Sequence, residues 1–275
     1  MSSFIVKSIG GALNASSIIS TKFAAKRAIN LFASPRKGRY NDYQKQIINS
    51  AFFEETRYNN MDIATYRWVG KGKTVLLAHG WESNTSRWNY ILKDLQAQDY
   101  NIIALDAPAH GRSDGKQFNA ILYSEFIATI IKKFQPEVLM GHSVGGMASV
   151  FSLHNHELPS IEKLVLLGAP AHFTGVFDRY KSMMGFNKRI SKGLDSIILN
   201  RFKQPVSYFS TANFTESIVA KGLVIHDKKD QIIPYEDGQL IANRYKNAEF
   251  VTTSGFGHGL KDESLTPKII DFINA

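Results

Sequence analysis

The residues with the most evident chemistry stand at the ends of short apolar runs. In residues 138–148, VLMGHSVGGMA, Ser143 lies between Gly141-His142 and Val144-Gly145-Gly146. A serine hydroxyl is a weak nucleophile at neutral pH. It needs a base beside it, and donors for the charge that forms on the carbonyl it attacks. The G-x-S-x-G pentapeptide alone says little, because Gly and Ser are common. Its surroundings say more. EVLM reads as a strand, 141–145 as a turn and VGGMASVFSL as a helix start, the setting a nucleophile elbow needs. Gly145 and Gly146 permit close helix–strand packing, and the helix N-terminus favours negative charge beside Ser143.

Three more run endings carry reactive groups. In GFGHGLKDES, His258 follows the last apolar run between glycines and just before the C-terminal helix; it is the candidate general base. In LVIHDKKDQIIP, Asp227 and Asp230 follow a strand ending at His226, and either carboxylate could orient a histidine. In LLAHGWESNTSRW, the backbone N–H of Trp81 is the candidate first arm of an oxyanion hole, with Val144 N–H as the second. His79 is expected to fix that loop. Asp106, His110 and Ser113 in LDAPAHGRSDG have the residue types of a triad. They stand too close together in a turn-rich loop, and a structural role is expected.

Positioning these residues takes a regular scaffold. From Asp62 onward, apolar runs such as KTVLLAHG, YNIIALDAP, EVLMGHS and KLVLLGAP alternate with longer amphipathic stretches. The runs suit strands buried on both faces, and the alternation predicts an α/β fold with a mostly parallel central sheet flanked by helices. One interval, about 171–221, is too long for a simple crossover. It is rich in Phe, Met, Tyr, Lys and Arg and reads as a helical insertion. Residues 1–60 read as a basic helical extension, with apolar residues at helical steps and a break at SPRKGRY. The expected division is therefore 1–60 as an extension and 61–275 as the catalytic domain.

Composition sets limits on function. The chain has no Cys, which excludes disulfides, thiolate catalysis and Cys-based metal sites. No His cluster has zinc-like spacing, so no cofactor or metal is expected. The net charge of +9 is concentrated in the first 45 residues, with eight Lys and Arg against Asp42. Such an arm can reach an anionic membrane surface. It lacks a nucleic-acid reading motif, so no nucleic acid is expected. No apolar run is long enough to span a bilayer, and the N-terminus lacks the pattern of a secretory signal. The expected location is cytoplasmic, with peripheral membrane contact as an option.

Taken together, HGW, DAPAHGRSDG, GHSVGG, DKKDQIIP and GFGHG resemble the serine branch of the α/β-hydrolase superfamily, of the esterase or lipase-like kind. The match runs from about Asp62 to the C-terminus, in the chain order Ser…Asp…His that this superfamily uses. The resemblance implies that Asp230, in the family's D-x-x-V/I-P pattern, is the acid. It implies a cap at the 171–221 insertion, and Ser143 attack through a Ser-His-Asp triad and an acyl-enzyme. The implied substrate is a carboxylic ester, with that of a lipid or other hydrophobic acyl group as an option. An acyltransferase or thioesterase with the same triad, or a non-catalytic ligand-binding member of the fold, stays open. The resemblance assigns residues 1–60 no role. HGWE also stands where one esterase branch has H-G-G-G.

Overall fold

The apolar runs become a single eight-stranded sheet. In the computed structural model, which describes residues 3–275, the strands are β1 (Phe52–Tyr58), β2 (Met61–Trp68), β3 (Thr74–Ala78), β4 (Asn101–Leu105), β5 (Val138–His142), β6 (Lys163–Leu167), β7 (Lys221–Asp227) and β8 (Ala248–Thr253). Their order across the sheet is β1-β2-β4-β3-β5-β6-β7-β8. β2 runs antiparallel to both of its neighbours, and all other pairs are parallel. β4, β5 and β6 are buried along their whole length, which is why their sequences are apolar without alternation.

The helices are α1 (Ser3–Ile19), α2 (Thr21–Ala33), α3 (Asp42–Ile48), α4 (Asn89–Ala97), α5 (Ala120–Phe134), α6 (Val144–Asn155), α7 (Phe173–Met184), α8 (Lys188–Phe202), α9 (Thr211–Phe214), α10 (Tyr235–Arg244) and α11 (Thr266–Asn274). Side-chain caps start several of them. Asn41 and Gln44 form a reciprocal capping box on α3, and Asn119 accepts from Leu122 N on α5. None of the helices among the described residues is long and apolar enough to cross a membrane.

The chain divides into two compact units, and the division differs from the boundaries expected from sequence. The sheet unit is Pro35–Ala171 with Thr211–Ala275; the helical unit is the chain up to Ser34 with His172–Ser210. Residues 35–60 therefore belong with the sheet. β1 pairs with β2 from Phe52↔Arg67 to Tyr58↔Met61. It gave no buried-strand signal because it is an edge strand whose residues, FFEETRY, are mostly exposed. The inserted segment is also shorter than 171–221, because the chain returns to the sheet unit from α9 onward.

Within the helical unit, α1 and α2 share a core with α7 and α8. Ala24, Ala25 and Ala28 of α2 are buried, and a Cβ added at Gly193 of α8 would lie 2.7 Å from that of Ala25. The Phe32 ring centroid is 5.3 Å from Phe177 and 4.8 Å from Tyr180. The Tyr180 hydroxyl donates to Ala28 O at 2.7 Å. Asn14 donates to Gly185 O at 2.8 Å and accepts from Asn187 N at 2.9 Å. Much of the insertion's aromatic surface is thus covered by the N-terminal helices.

Candidate active site

β3, β5, β7 and β8 run in one direction, so the loops after them leave the sheet unit at one edge, where ligands collect in open parallel sheets. Ser143 comes directly after β5 at φ +54° and ψ −127°, a backbone state that favours glycine and costs a serine roughly 1–3 kcal/mol. Its N–H donates to Leu167 O at 2.8 Å, which continues the β5–β6 ladder. Its own carbonyl accepts from Gly146 N at 2.9 Å. A side chain at Gly145 would collide with the carbonyls of Ala78 and His79, and one at Gly141 would come within 2.6 Å of Gly146 Cα. The small residues thus permit the sharp turn that the sequence implied.

A hydrogen-bonded chain joins three of the predicted residues. His258 Nδ1–H donates to Asp230 Oδ2 at 2.7 Å. That tautomer leaves Nε2 to accept from the Ser143 hydroxyl at 3.0 Å. Asp230 Oδ1 accepts the N–H groups of Ile232 at 2.8 Å and Ile233 at 2.9 Å. His226 Nε2 lies 3.4 Å from Asp230 Oδ2 and 3.1 Å from Ile233 O. Burial alone would raise the Asp230 carboxyl. Hydrogen bonds from His226, His258 and Ile233 N outweigh it and hold the group well below the usual carboxylate range. Asp230 is therefore an anion at neutral pH.

Asp227, the other carboxylate of this loop, does different work. It is fully buried. It accepts Lys229 N at 2.8 Å, Thr253 Oγ1 at 2.8 Å, Gly255 N at 3.2 Å and Phe256 N at 2.9 Å. These bonds tie the Asp230 loop to the segment leading to His258. Burial raises its pKa, but the bonds it accepts prevail and bring it down to about 2. Two further residues anchor the His258 loop. His142 Nε2–H donates to His258 O at 2.8 Å, and Arg87 Nη2 donates to Gly259 O at 2.8 Å. Burial, with Arg87 and His258 nearby, pushes the His142 pKa far down and keeps its ring neutral. Sequence reading missed the roles of Arg87 and His142. His142 offered a signal by preceding Ser143 directly; Arg87, inside a helix-like stretch, offered none.

The loop after β3 passes close to the serine: a Cβ built on Gly80 would sit 3.0 Å from Ser143 Cβ. Trp81 is the next residue in that loop. Val144 is the first residue of α6, where an N–H has no intrahelical partner. Two buried histidines fix the Trp81 loop. His79 donates from Nδ1 to Gly80 O at 2.8 Å and accepts Ala107 N at Nε2 at 2.9 Å. His110 donates from Nδ1 to Pro108 O at 2.9 Å and accepts Glu82 N at Nε2 at 3.0 Å. Burial lowers both to about 4, so both stay neutral and can accept.

Asp106, His110 and Ser113 form no Asp–His–Ser chain. The buried Asp106 carboxylate accepts Tyr40 OH, Tyr66 OH, Thr85 N and Oγ1, and Arg112 N at 2.8–3.0 Å. The Ser113 hydroxyl donates to Asp106 O at 2.7 Å. The group is a loop framework.

Comparison with known proteins agrees with this fold. A family model described as alpha/beta hydrolase fold matches residues 73–184. An AB hydrolase superfamily protein, YisY, of Bacillus subtilis is 23% identical over 253 residues, covering 75% of this chain and 94% of its own. A non-heme haloperoxidase of Rhodococcus erythropolis is 23% identical, covering 76% and 95% respectively. Among solved structures, an esterase from Exiguobacterium antarcticum superposes with a TM-score of 0.62 at 21% identity, covering 78% of this chain and 96% of its own.

Proposed function

We propose that this chain, a member of the α/β-hydrolase superfamily, is a serine hydrolase that cleaves carboxylic esters through an acyl-enzyme on Ser143. The observation that carries the reading is the chain of bonds from Ser143 Oγ to His258 Nε2 at 3.0 Å and from His258 Nδ1 to Asp230 Oδ2 at 2.7 Å.

In this reading, Ser143 Oγ bonds to the ester carbonyl carbon as His258 Nε2 takes the hydroxyl proton. Asp230 keeps the proton of His258 on Nδ1 and stabilises the imidazolium. The carbonyl oxygen becomes an oxyanion facing the N–H groups of Trp81 and Val144. The imidazolium then protonates the leaving alcohol oxygen as the ester C–O bond breaks. Water attacks the acyl-Ser143 ester, His258 takes its proton, and the carboxylic acid leaves with Ser143 restored. The gathering of His79, His110 and Gly80 around the Trp81 loop supports a fixed donor, because the N–H must already point at the oxyanion when it forms.

The test is a fluorophosphonate reaction with an intact-mass readout, beside a chain-length series of nitrophenyl esters. Wild type should add one probe and turn over at least one ester. Ser143→Ala should add none and lose roughly 10⁴-fold or more in kcat/KM. Labelling that persists in the variant, or folded wild type inert to both reagents, would sink the proposal.

A further inference from the structure

Charge is segregated between the two units. The helical unit holds eleven Lys and Arg against two Asp, while the sheet unit holds 22 residues of each sign. The whole net charge of +9 therefore belongs to the helical unit. Its two carboxylates, Asp178 and Asp195, both lie on one cation, Lys181 Nζ, at 3.4 and 2.8 Å. The unit's other cations have no further acidic side chain within it to meet.

The same unit exposes apolar surface in an unusual way. α1 has a single charge, Lys7, in 17 residues. Its inward face carries Gly10, Asn14 and Ser17, which pack or bond against the 184–187 turn. Its outward face carries Phe4 at 79% exposure, Ile18 at 72% and Ile19 at 92%. Phe23, half exposed, extends this surface onto α2. A helix packed only for water would turn those side chains inward. Exposed Lys22, Lys26 and Arg27 stand beside them on α2, with the Arg27 guanidinium 5.2 Å from the Phe23 ring centroid.

We propose that the helical unit docks on an anionic lipid bilayer. The outward face of α1 and the 18–23 turn enter the boundary between headgroups and acyl chains, and Lys22, Lys26 and Arg27 meet the lipid phosphates. Exposed cations alone would suit any polyanion. Cations adjoining exposed isoleucines suit a surface that is both charged and apolar. α1 is about 25 Å long and does not qualify as a spanning helix, so it lies in the plane of the bilayer. The proposal does not depend on the Ser143 chemistry.

Flotation of the full chain with vesicles tests it, using phosphatidylcholine alone and phosphatidylcholine with one-third phosphatidylglycerol as the two compositions. Binding should require the anionic lipid, fall with salt, and be the same for Ser143→Ala. Ile18→Ser with Ile19→Ser should weaken it at least ~10-fold. Lys22→Gln with Lys26→Gln and Arg27→Gln should weaken it roughly 100-fold. All five side chains are exposed, so thermal melts should match wild type. Failure to bind anionic vesicles, or binding that neither set of variants alters, overturns the proposal. So does salt-sensitive binding to DNA or heparin without binding to vesicles, which would make the unit a polyanion reader. Loss of ester turnover with vesicle binding intact would count against the Ser143 reading alone.

Discussion

Asp227 shows how two carboxylates three residues apart take different tasks. Asp230 meets two imidazoles and two amides; Asp227 meets three amides and a hydroxyl, and holds the loop that carries His258. Asp227→Asn keeps the size but not the four-way acceptor, and should destabilise the fold by about 2–3 kcal/mol at pH 7. The pH dependence has a definite sign. The folded carboxyl titrates near 2 and the unfolded one at 3.8, so its contribution is complete above about pH 4 and lost as pH falls toward 2. Urea melts across pH 2–5 should show a shallower acid loss in the variant; equal slopes would refute the brace. The residues that meet at Ser143 were legible because each is a reactive type at the end of an apolar run. The brace was not, since three of its four partners are backbone N–H groups, which sequence does not distinguish.

At the scale of elements, the β3 and β4 loops are stitched together by two neutral imidazoles. His79 spans Gly80 and Ala107, and His110 spans Pro108 and Glu82. Unfolded, each ring takes a proton near pH 6.5; folded, each resists until about 4. Stability should therefore be intact above pH 6.5 and drain away toward pH 4, by up to roughly 3 kcal/mol per histidine. A double variant, His79→Gln with His110→Gln, should melt with a weaker pH dependence across that window, and a parallel curve would show that the rings do not control it. The strands flanking this site were readable because burial on both faces leaves unbroken apolar runs, as in β4 and β5. β1 was hidden because an edge strand needs only one neighbour and buries little, so FFEETRY has no such run.

At the scale of the molecule, the first 34 residues are half of a unit whose other half comes from 172–210. The first half showed helical periodicity and the second read as a helical insertion from its length and composition, but their pairing rests on contacts between residues far apart in sequence, such as Phe32 with Phe177 and Ala28 O with the Tyr180 hydroxyl. Periodicity reveals an apolar stripe but not what covers it. Removing residues 1–33 should uncover α7 and α8. Limited proteolysis should then cut within 172–210 at least ~10-fold faster, while the sheet unit keeps its resistance. Unchanged cutting would show that the insertion stands alone. The same split orders events during synthesis. At roughly 5–20 residues per second, residue 210 emerges about 10–35 s after residue 34. For that interval the stripe of Ala24, Ala25, Ala28 and Phe32 has been made without its partner helices. During synthesis the chain thus presents a sticky, positively charged segment to chaperones and to lipid before the helices that cover it exist.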